Sequence, residues 1–287
     1  MTSIQSKGIV WIASYPYSGG TWVSSVLDKI STVIAGNAGT ATSCARGAPF
    51  SRWDISAAPS ERLIGKPVAK CSRAEIARAR HQVQTQVAEL AGGPALVKTH
   101  CAAVMDHHQP VINFAVTSRV IYIVRNPMDV AVSLANSTGR SLDDAIEFMG
   151  HCAAEHIAPG HGVHEIFSSW WRHVGSWTGK PQLPLHTLRY EDILSAPDNA
   201  FFSLSRNLGL SPTRSQIRKA IELCALERPG VRETVSASQG EAPACQTPAI
   251  SFGGTGYWRK RLSKCQIDRV ISTHRTQMGQ FGYLPGI

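Results

Sequence analysis

Residues 9–27 read IVWIASYPYSGGTWVSSVL and predict a strand, a tight turn and a helix in direct succession. The apolar, β-rich run Ile9–Ala13 is typical of a strand that is buried on both faces of a parallel sheet. From Thr21 to Leu27 the apolar residues return at helical spacing. The turn between them brings together two glycines, several hydroxyl groups and the positive end of a helix dipole. This P-loop-like turn predicts a binding site for phosphate or sulfate.

The turn differs from the loop of nucleotide triphosphatases, which has the motif Gly-x-x-x-x-Gly-Lys-Ser/Thr. No lysine precedes Thr21, and the first glycine of that motif is missing. A Gly-Gly pair at a helix start also occurs where it only relieves crowding between the helix and the strand. The turn by itself leaves both interpretations open.

The length and charge of the chain restrict its class of function. The 287 residues, 43% of them hydrophobic, predict one α/β domain over residues 1–287 with a substantial core. The net charge of +9 favours an anionic ligand, an acidic partner protein or nucleic acid. Nucleic acid is the least favoured, because the basic residues are scattered along the chain apart from those in residues 258–261.

Cysteine usage and hydropathy predict a cytoplasmic protein. Seven cysteines are an odd number and none has C-x-x-C spacing, which is typical of reduced thiols. No segment approaches the roughly 18 to 20 apolar residues of a membrane span, and the first residues do not resemble a secretory leader. We therefore expect no membrane association. The oligomeric state stays open and includes a homo-oligomer or a complex with a partner enzyme.

Three further apolar runs predict strands that alternate with helices. The runs are Ala95–Thr99, Val120–Val124 and Leu185–Leu188. Ser72 predicts the start of a helix over Arg73–Leu90, and Pro127 suits the first position of another helix. The alternation predicts a central parallel sheet with helices on both faces.

Other sequence patterns predict which side chains lie on the surface or in the core, and which segments shape a pocket. We expect the basic face of the helix Arg73–Leu90 to be solvated, and the tryptophans of the amphipathic run Glu165–Trp177 to pack in the core. The least patterned segments, expected to shape a substrate pocket, are 35–67, 136–164 and 231–250. Histidines in the second of these have irregular spacing interrupted by Pro159 and Gly160, so the sequence predicts no metal site there.

Polar side chains follow three predicted strands at the ends where ligands bind in an open α/β sheet. The first strand leads into Gly19-Gly20-Thr21, and the second delivers Lys98 and His100. The third ends at Arg125, with Ser133 eight residues later in the next helix. Arg125 and Ser133 are therefore expected to bind a second phosphate. Two anion sites and a histidine predict a nucleotide bisphosphate and a proton acceptor.

These motifs resemble those of the cytosolic sulfotransferases that use 3′-phosphoadenosine-5′-phosphosulfate (PAPS), in particular the bacterial ones that sulfate natural products. Residues 15–22, YPYSGGTW, resemble the family's 5′-phosphosulfate loop, Tyr-Pro-Lys-Ser-Gly-Thr-Thr-Trp. Lys98-Thr99-His100 resembles its catalytic Lys-Thr-His, and residues 125–133 resemble its 3′-phosphate motif. Residues 189–192 are similar to its Tyr-Glu-Asp segment near the adenine, and residues 253–258 to its C-terminal Gly-x-x-Gly-Asp-Trp.

The resemblance implies the sulfotransferase fold, a small-molecule acceptor and a role for each matching residue. His100 would take the proton of an acceptor hydroxyl as that oxygen attacks sulfur and 3′-phosphoadenosine 5′-phosphate (PAP) departs. Lys98 and Tyr17 would lie at the leaving group, and no metal would be needed. The residues implied to bind the cofactor are Ser18, Gly19, Gly20, Thr21, Trp22, Arg125, Ser133 and Tyr190. For Trp22, a core position in the first helix is the alternative to stacking near the adenine.

Two departures from the family pattern affect the expected chemistry. The loop lysine that stabilises the bridging oxygen is Tyr17 here, and loss of such a donor typically costs about 3 to 4 kcal/mol of barrier. Ser251-Phe252-Gly253 stands where the family has Arg-Lys-Gly, so two cations at the 3′-phosphate are missing. Lys98 is a candidate for the leaving-group charge, and Arg259 or Lys260 for a phosphate.

Three functions therefore stay open at this point. The first is sulfuryl transfer from PAPS to a hydroxyl of a secondary metabolite. The second uses another donor such as an aryl sulfate, or a sulfate ester as a leaving group. The third is a partner subunit without catalysis. The intact Lys98, His100, Arg125 and Ser133 favour the first, whereas Tyr17 and Ser251 favour the other two.

Overall fold

The computed structural model describes residues 8–38, 56–91, 94–157, 163–180, 183–226 and 254–285. The strands are β1 (Gly8–Ser14), β2 (Pro94–Thr99), β3 (Met105–Asp106), β4 (Gln109–Pro110), β5 (Thr117–Val124), β6 (Glu155–Ile157), β7 (His164–Ile166) and β8 (Leu185–Arg189). The helices are α1 (Gly20–Ala38), α2 (Ala57–Ile64), α3 (Arg73–Leu90), α4 (Pro127–Thr138), α5 (Leu142–Gly150), α6 (Trp170–Thr178), α7 (Tyr190–Ser195), α8 (Pro197–Asn207), α9 (Arg214–Leu226), α10 (Trp258–Arg261) and α11 (Lys264–Gln280).

Four strands form the predicted parallel sheet, in the order β2-β1-β5-β8. Every residue of β1 is buried, as expected for a central strand with neighbours on both sides and helices over both faces. Near its carboxyl end, Ala13 pairs with Thr99 of β2, and Ser14 pairs with Ile123 of β5. The residues that follow these three strands therefore meet at one edge of the sheet.

Alternate side chains of each strand point to opposite faces and pack under two layers of helices. Trp11 and Tyr122 belong to one core cluster, with residues of α3, α6 and α11 such as Ile76, Trp170 and Met278. Ile12 and Ile121 belong to the other, with residues of α1, α8 and α9 such as Val26, Phe201 and Ile217. The prediction of helices on both faces is confirmed.

The expectation that the basic face of α3 is solvated is wrong for two of its three arginines. Arg80 is 3% exposed and donates from Nη2 to the His164 carbonyl oxygen at 2.7 Å. Arg73 forms ion pairs with Asp106 and Glu155, whereas Arg78 is exposed. The physical reason is that the two hairpins, β3–β4 and β6–β7, bring carboxylates and carbonyl groups onto this face.

The amphipathic run Glu165–Trp177 is divided between a strand and a helix. Its first residues pair in β7, antiparallel to β6, and α6 begins only at Trp170. The backbone of Ser168 has a φ of 61°, which is left-handed and ends the strand before the helix starts. Trp170 and Trp177 are fully buried, so the expectation of core packing is confirmed for them, but it is wrong for Trp171, which is 36% exposed because it lies on the outer face of α6.

All three segments expected to shape a pocket lie wholly or partly outside the described residues. Residues 39–55 of the segment 35–67 and residues 158–162 of the segment 136–164 are outside them, and so is all of 231–250. The described end of the first segment contains α2. Among the helices that the structure describes, none combines the length and the apolar character needed to cross a bilayer.

Two histidines are buried between the sheet and its helices. His173 of α6 is 0% exposed, and His274 of α11 is 1% exposed and lies edge-on to the Trp170 ring, with 5.4 Å between centroids. Burial disfavours the charged imidazolium and lowers the pKa of His173 to about 3 and that of His274 to about 4. Both rings are therefore neutral in the folded protein at physiological pH.

We expect the protein to lose stability as the pH falls from about 6.5 to about 4, because the unfolded chain binds protons at these histidines and the folded chain does not. Between pH 7 and pH 5 the loss is about 2 kcal/mol for each buried histidine. His274→Leu should remove about that much of the pH dependence, measured by urea unfolding at the two pH values. The matched control is His151→Leu at an exposed site. An unchanged pH dependence in His274→Leu would contradict the assignment.

Candidate active site

The turn between β1 and α1 leads into the first N–H groups of α1, which have no carbonyl partner within the helix. Tyr17 and Gly19 have φ values of 63° and 94°, so the chain passes twice through the left-handed region. Ser18 is 1% exposed, and within the described part of the chain its Oγ has no hydrogen-bond partner. A buried hydroxyl without a partner costs about 1 to 3 kcal/mol. An anion bound in the turn would remove that cost by accepting its hydrogen bond.

The two glycines of the turn leave no room for a side chain. A Cβ on Gly19 would lie 2.3 Å from Cδ2 of Tyr190. A Cβ on Gly20 would lie 2.4 Å from Oγ of Ser14 and 3.8 Å from Cε1 of His100. The absence of side chains keeps the backbone N–H groups accessible at the start of α1, where the helix dipole favours an anion. The same distances show that the His100 ring lies directly beside the turn.

Lys98 brings a positive charge to the turn from the end of β2. Its Nζ donates to Oγ1 of Thr21 at 2.8 Å, although the side chain is only 9% exposed. The register of β2 against β1, in which Lys98 pairs with Ile12, places it one strand away from the turn. The predicted proximity of Lys98 and the loop is therefore confirmed.

Hydrogen bonding fixes the tautomer of His100. Its Nδ1 lies 2.9 Å from the backbone oxygen of Ser14 and 3.3 Å from Oγ of the same residue. Because a carbonyl oxygen only accepts, Nδ1 carries the hydrogen. In the neutral ring the lone pair is then on Nε2, which is the nitrogen able to accept a proton from a substrate.

A buried hydrogen-bonded chain holds the backbone of His100. Nε2 of His173 donates to the His100 carbonyl oxygen at 3.1 Å, and Nδ1 of His173 accepts from the Tyr122 hydroxyl at 2.8 Å. The lowered pKa of His173 agrees with this neutral tautomer. Sequence reasoning missed His173 because it lies in the tryptophan-rich run, where its neighbours indicate only packing.

Arg125 links the end of β5 to the turn. Its Nη1 donates to the Tyr17 carbonyl oxygen at 2.8 Å, and its Cζ lies 4.6 Å from the centroid of the Tyr190 ring. The same ring contacts Gly19, so Arg125, Tyr190 and the turn form one packed unit. Arg125 is only 4% exposed, so water screens its positive charge poorly at the turn.

The other predicted site residues occupy less direct positions. Trp22 is 6% exposed and packs edge-on against Tyr190 and Phe201, as its core alternative requires. Ser133 is half-buried on α4. Tyr17 is also half-buried, and burial raises the pKa of its phenol more than the positive charge of Arg140 lowers it. The phenol is therefore neutral at physiological pH and supplies no full charge to the turn.

Two carboxylates in the quoted motifs have structural roles that the sequence did not reveal. Asp129 is 2% exposed and accepts from the backbone N–H groups of Gly256 and Trp258 at 2.8 and 3.2 Å. Glu191 accepts from the N–H of Asn126 at 3.0 Å and from the Tyr283 hydroxyl at 2.7 Å. Both carboxylates attach the C-terminal segment to the start of α4. Their partners are distant in sequence, so no local sequence pattern predicts these contacts.

The described histidines of the segment 151–164 include two that make contacts within the hairpin β6–β7 and with the residue after it. Nδ1 of His164 lies 3.3 Å from Oε1 of Glu155, and the His156 ring stacks on Phe167. In the ranges that the structure covers, no group of three His, Cys, Asp or Glu residues is placed to hold a metal ion. His161, like Ser251-Phe252-Gly253, lies outside the described residues.

Comparison with known proteins gives one family. Residues 7–282 match the family described as Sulfotransferase domain. The mouse protein Sulfotransferase 1B1 is 22% identical over 286 residues, which cover 95% of this chain and 83% of the relative. The human protein Sulfotransferase 1E1 is 22% identical over 283 residues, which cover 93% of this chain and 82% of the relative.

Solved structures of the same kind share the fold. Mouse sulfotransferase SULT7A1 complexed with PAP has a TM-score of 0.55 at 16% identity, covering 95% of this chain and 84% of that one. Retinol dehydratase in a complex with retinol and PAP has a TM-score of 0.57 at 17% identity, covering 97% and 82%. The fold is therefore the α/β architecture with a central parallel sheet that these structures have.

The packing of Tyr190 against Gly19 predicts that substitution by alanine destabilises the protein more at Gly19 than at Gly65. Gly19 and Gly65 both have left-handed φ values, 94° and 79°, but a Cβ on Gly65 meets nothing within 4 Å. Gly65→Ala should cost about 1 kcal/mol of unfolding free energy from backbone strain alone. Gly19→Ala should cost about 2 to 4 kcal/mol, because the Tyr190 ring must also move. Urea unfolding measures both values, and equal losses would contradict this packing.

Proposed function

The chain belongs to the sulfotransferase family and is a sulfotransferase, and we propose that it moves a sulfuryl group from PAPS to a hydroxyl of a small-molecule acceptor, a secondary metabolite. One observation carries this proposal. The turn has a buried Ser18 hydroxyl without a partner in the described chain, and Lys98 and His100 lie directly beside it. A candidate anion site, a cation and a base are thereby brought together. The PAP in two related structures supports the same donor.

We assign the 5′-phosphosulfate of the donor to the turn. The N–H groups of residues 19–22 and the hydroxyls of Ser18 and Thr21 would bind its oxygens, with the dipole of α1 behind them. Arg125 and Ser133 would bind the 3′-phosphate, and Trp22 and Tyr190 would lie toward the adenine. When bound, PAPS supplies an already activated sulfuryl group, so the proposed reaction includes no metal.

His100 is the proposed general base. With Nδ1 bonded to the Ser14 carbonyl oxygen, its Nε2 accepts the proton of the acceptor hydroxyl as that oxygen bonds to sulfur. The bond from sulfur to the 5′-phosphate oxygen breaks at the same time. The hydrogen bond from His173 to the His100 backbone keeps the ring beside the turn without adding a charge.

Lys98 is the proposed source of positive charge at the departing oxygen. The family's loop lysine is replaced by Tyr17, whose neutral phenol can donate only one hydrogen bond. The ammonium group of Lys98, at 2.8 Å from the Thr21 hydroxyl, already lies at the turn. In this proposal Lys98 supplies the positive charge that the loop lysine provides in the family. Such electrostatic stabilisation typically amounts to several kcal/mol.

Tyr17 also favours a second candidate within the same fold. A turn that lacks its own cation stabilises a phosphate leaving group less well than it would stabilise a phenolate, which carries less charge. Sulfuryl transfer from an aryl sulfate would need less positive charge at this point, because the phenolate leaves with a single negative charge. Assays with PAPS and with 4-nitrophenyl sulfate separate the two candidates directly.

We place the reaction in the cytoplasm. The described cysteines form no disulfide bonds, as a reducing compartment would produce. The acceptor is proposed to enter from the side of the hairpin β6–β7 and helix α5, because Phe167, which follows β7, contacts both Tyr15 of the turn and Phe148 of α5.

The base assignment predicts the effect of a conservative substitution. His100→Asn should lower turnover by about a hundredfold to ten-thousandfold, the usual contribution of a general base, while PAP affinity changes little. Release of PAP from PAPS, measured with a panel of hydroxyl-bearing small molecules, gives turnover, and calorimetry gives affinity. The matched control is His108→Asn in the exposed β3–β4 turn. Full turnover in His100→Asn, or an equal loss in both variants, would remove His100 from this role.

A further inference from the structure

The cofactor site proposed above lacks two of the cations that the family has at the 3′-phosphate. Ser251 and Phe252, which stand at those positions, carry no charge. The next positive charges along the chain are Arg259, Lys260 and Arg261, and all three side chains are exposed on α10. The inference developed from them rests on the proposed function, because it concerns a phosphate of the same donor.

Two contacts attach α10 and the turn before it to one face of α4. The buried carboxylate of Asp129 accepts from the N–H groups of Gly256 and Trp258, at 2.8 and 3.2 Å. Farther along, Nη2 of Arg261 lies 3.4 Å from Oδ1 of Asn136.

Ser133 lies between these two attachment points. Residues 129, 133 and 136 are separated by four and three positions, so they share one face of α4. The segment 256–261 therefore passes alongside the serine that is implied to bind the 3′-phosphate. This places the α10 cations beside the site where the family's cations are missing.

The side chain of Arg259 is folded back over the turn that precedes α10. Its Cζ lies 4.6 Å from the ring centroid of Trp258, which is 7% exposed and belongs to the main core cluster. Its Nη1 is 2.7 Å from the position that a Cβ on Gly256 would take. The guanidinium thus lies over the turn that Asp129 holds. Among the described residues, Arg259 forms no ion pair with a carboxylate.

We propose that Arg259 binds the 3′-phosphate of the donor and replaces the cations missing at Ser251 and Phe252. A guanidinium is suited to this role because its planar N–H groups match two phosphate oxygens, and stacking on Trp258 orders it in advance. A side chain at Gly256 would displace Nη1 from this position. The site therefore takes one arginine from β5 and a second from α10.

Binding measurements with PAP and with adenosine 5′-monophosphate test this proposal, since the two differ in the 3′-phosphate. Arg259→Ala should weaken PAP binding about 10- to 150-fold, in line with the usual worth of a charged hydrogen bond, and leave the affinity for the monophosphate within about twofold. Arg259→Lys should recover part of the loss. Arg261→Ala, on the same short helix and with the same charge removed, is the matched control and should have a smaller effect.

Each outcome has a distinct meaning. Equal affinity of Arg259→Ala and the unsubstituted protein for PAP overturns the role of Arg259. Equal weakening by Arg259→Ala and Arg261→Ala, or equal weakening for both nucleotides, also overturns it, because that result indicates only the general positive field of α10. Failure of the unsubstituted protein to bind PAP at all would instead overturn the proposed function.

Discussion

The left-handed backbone of the turn after β1 is the constraint on which the rest of the site depends. Tyr17, which has a side chain, is strained in this conformation, so contacts with its surroundings must hold the turn in place. Arg125 provides this by donating to the Tyr17 carbonyl oxygen, and Tyr190 does so by packing against Gly19. Arg125 thus stabilises the conformation of the 5′-phosphosulfate site and is also the candidate ligand of the 3′-phosphate.

Much of the fold could be predicted because its signals are local. Short apolar runs, Ser72 as a helix cap and Pro127 at a helix start indicate elements without knowledge of their neighbours. Parallel pairing then brings the ends of three strands to one edge, so Lys98, His100 and Arg125 could be placed near the turn before their distances were known.

The remaining features could not be predicted, because they depend on pairs that are distant in sequence. Asp129 reads as an ordinary helix residue until its bonds to Gly256 and Trp258 are seen. His173 and Arg80 lie in segments whose pattern indicates packing or solvation, yet both are buried and hydrogen-bonded to specific carbonyl oxygens. Their importance comes from what another element presents to them, and the sequence pattern carries no information about that.

The central claim is that one arginine both holds the turn and binds the donor. Calorimetric titration of PAP into the intact protein and into Arg125→Ala tests it most directly, with Arg218→Ala on the surface of α9 as the control. The account predicts that the intact protein and the control bind PAP alike, and that Arg125→Ala binds about 10- to 150-fold more weakly, which corresponds to 1.5 to 3 kcal/mol. Equal affinity in a folded Arg125→Ala variant would contradict it.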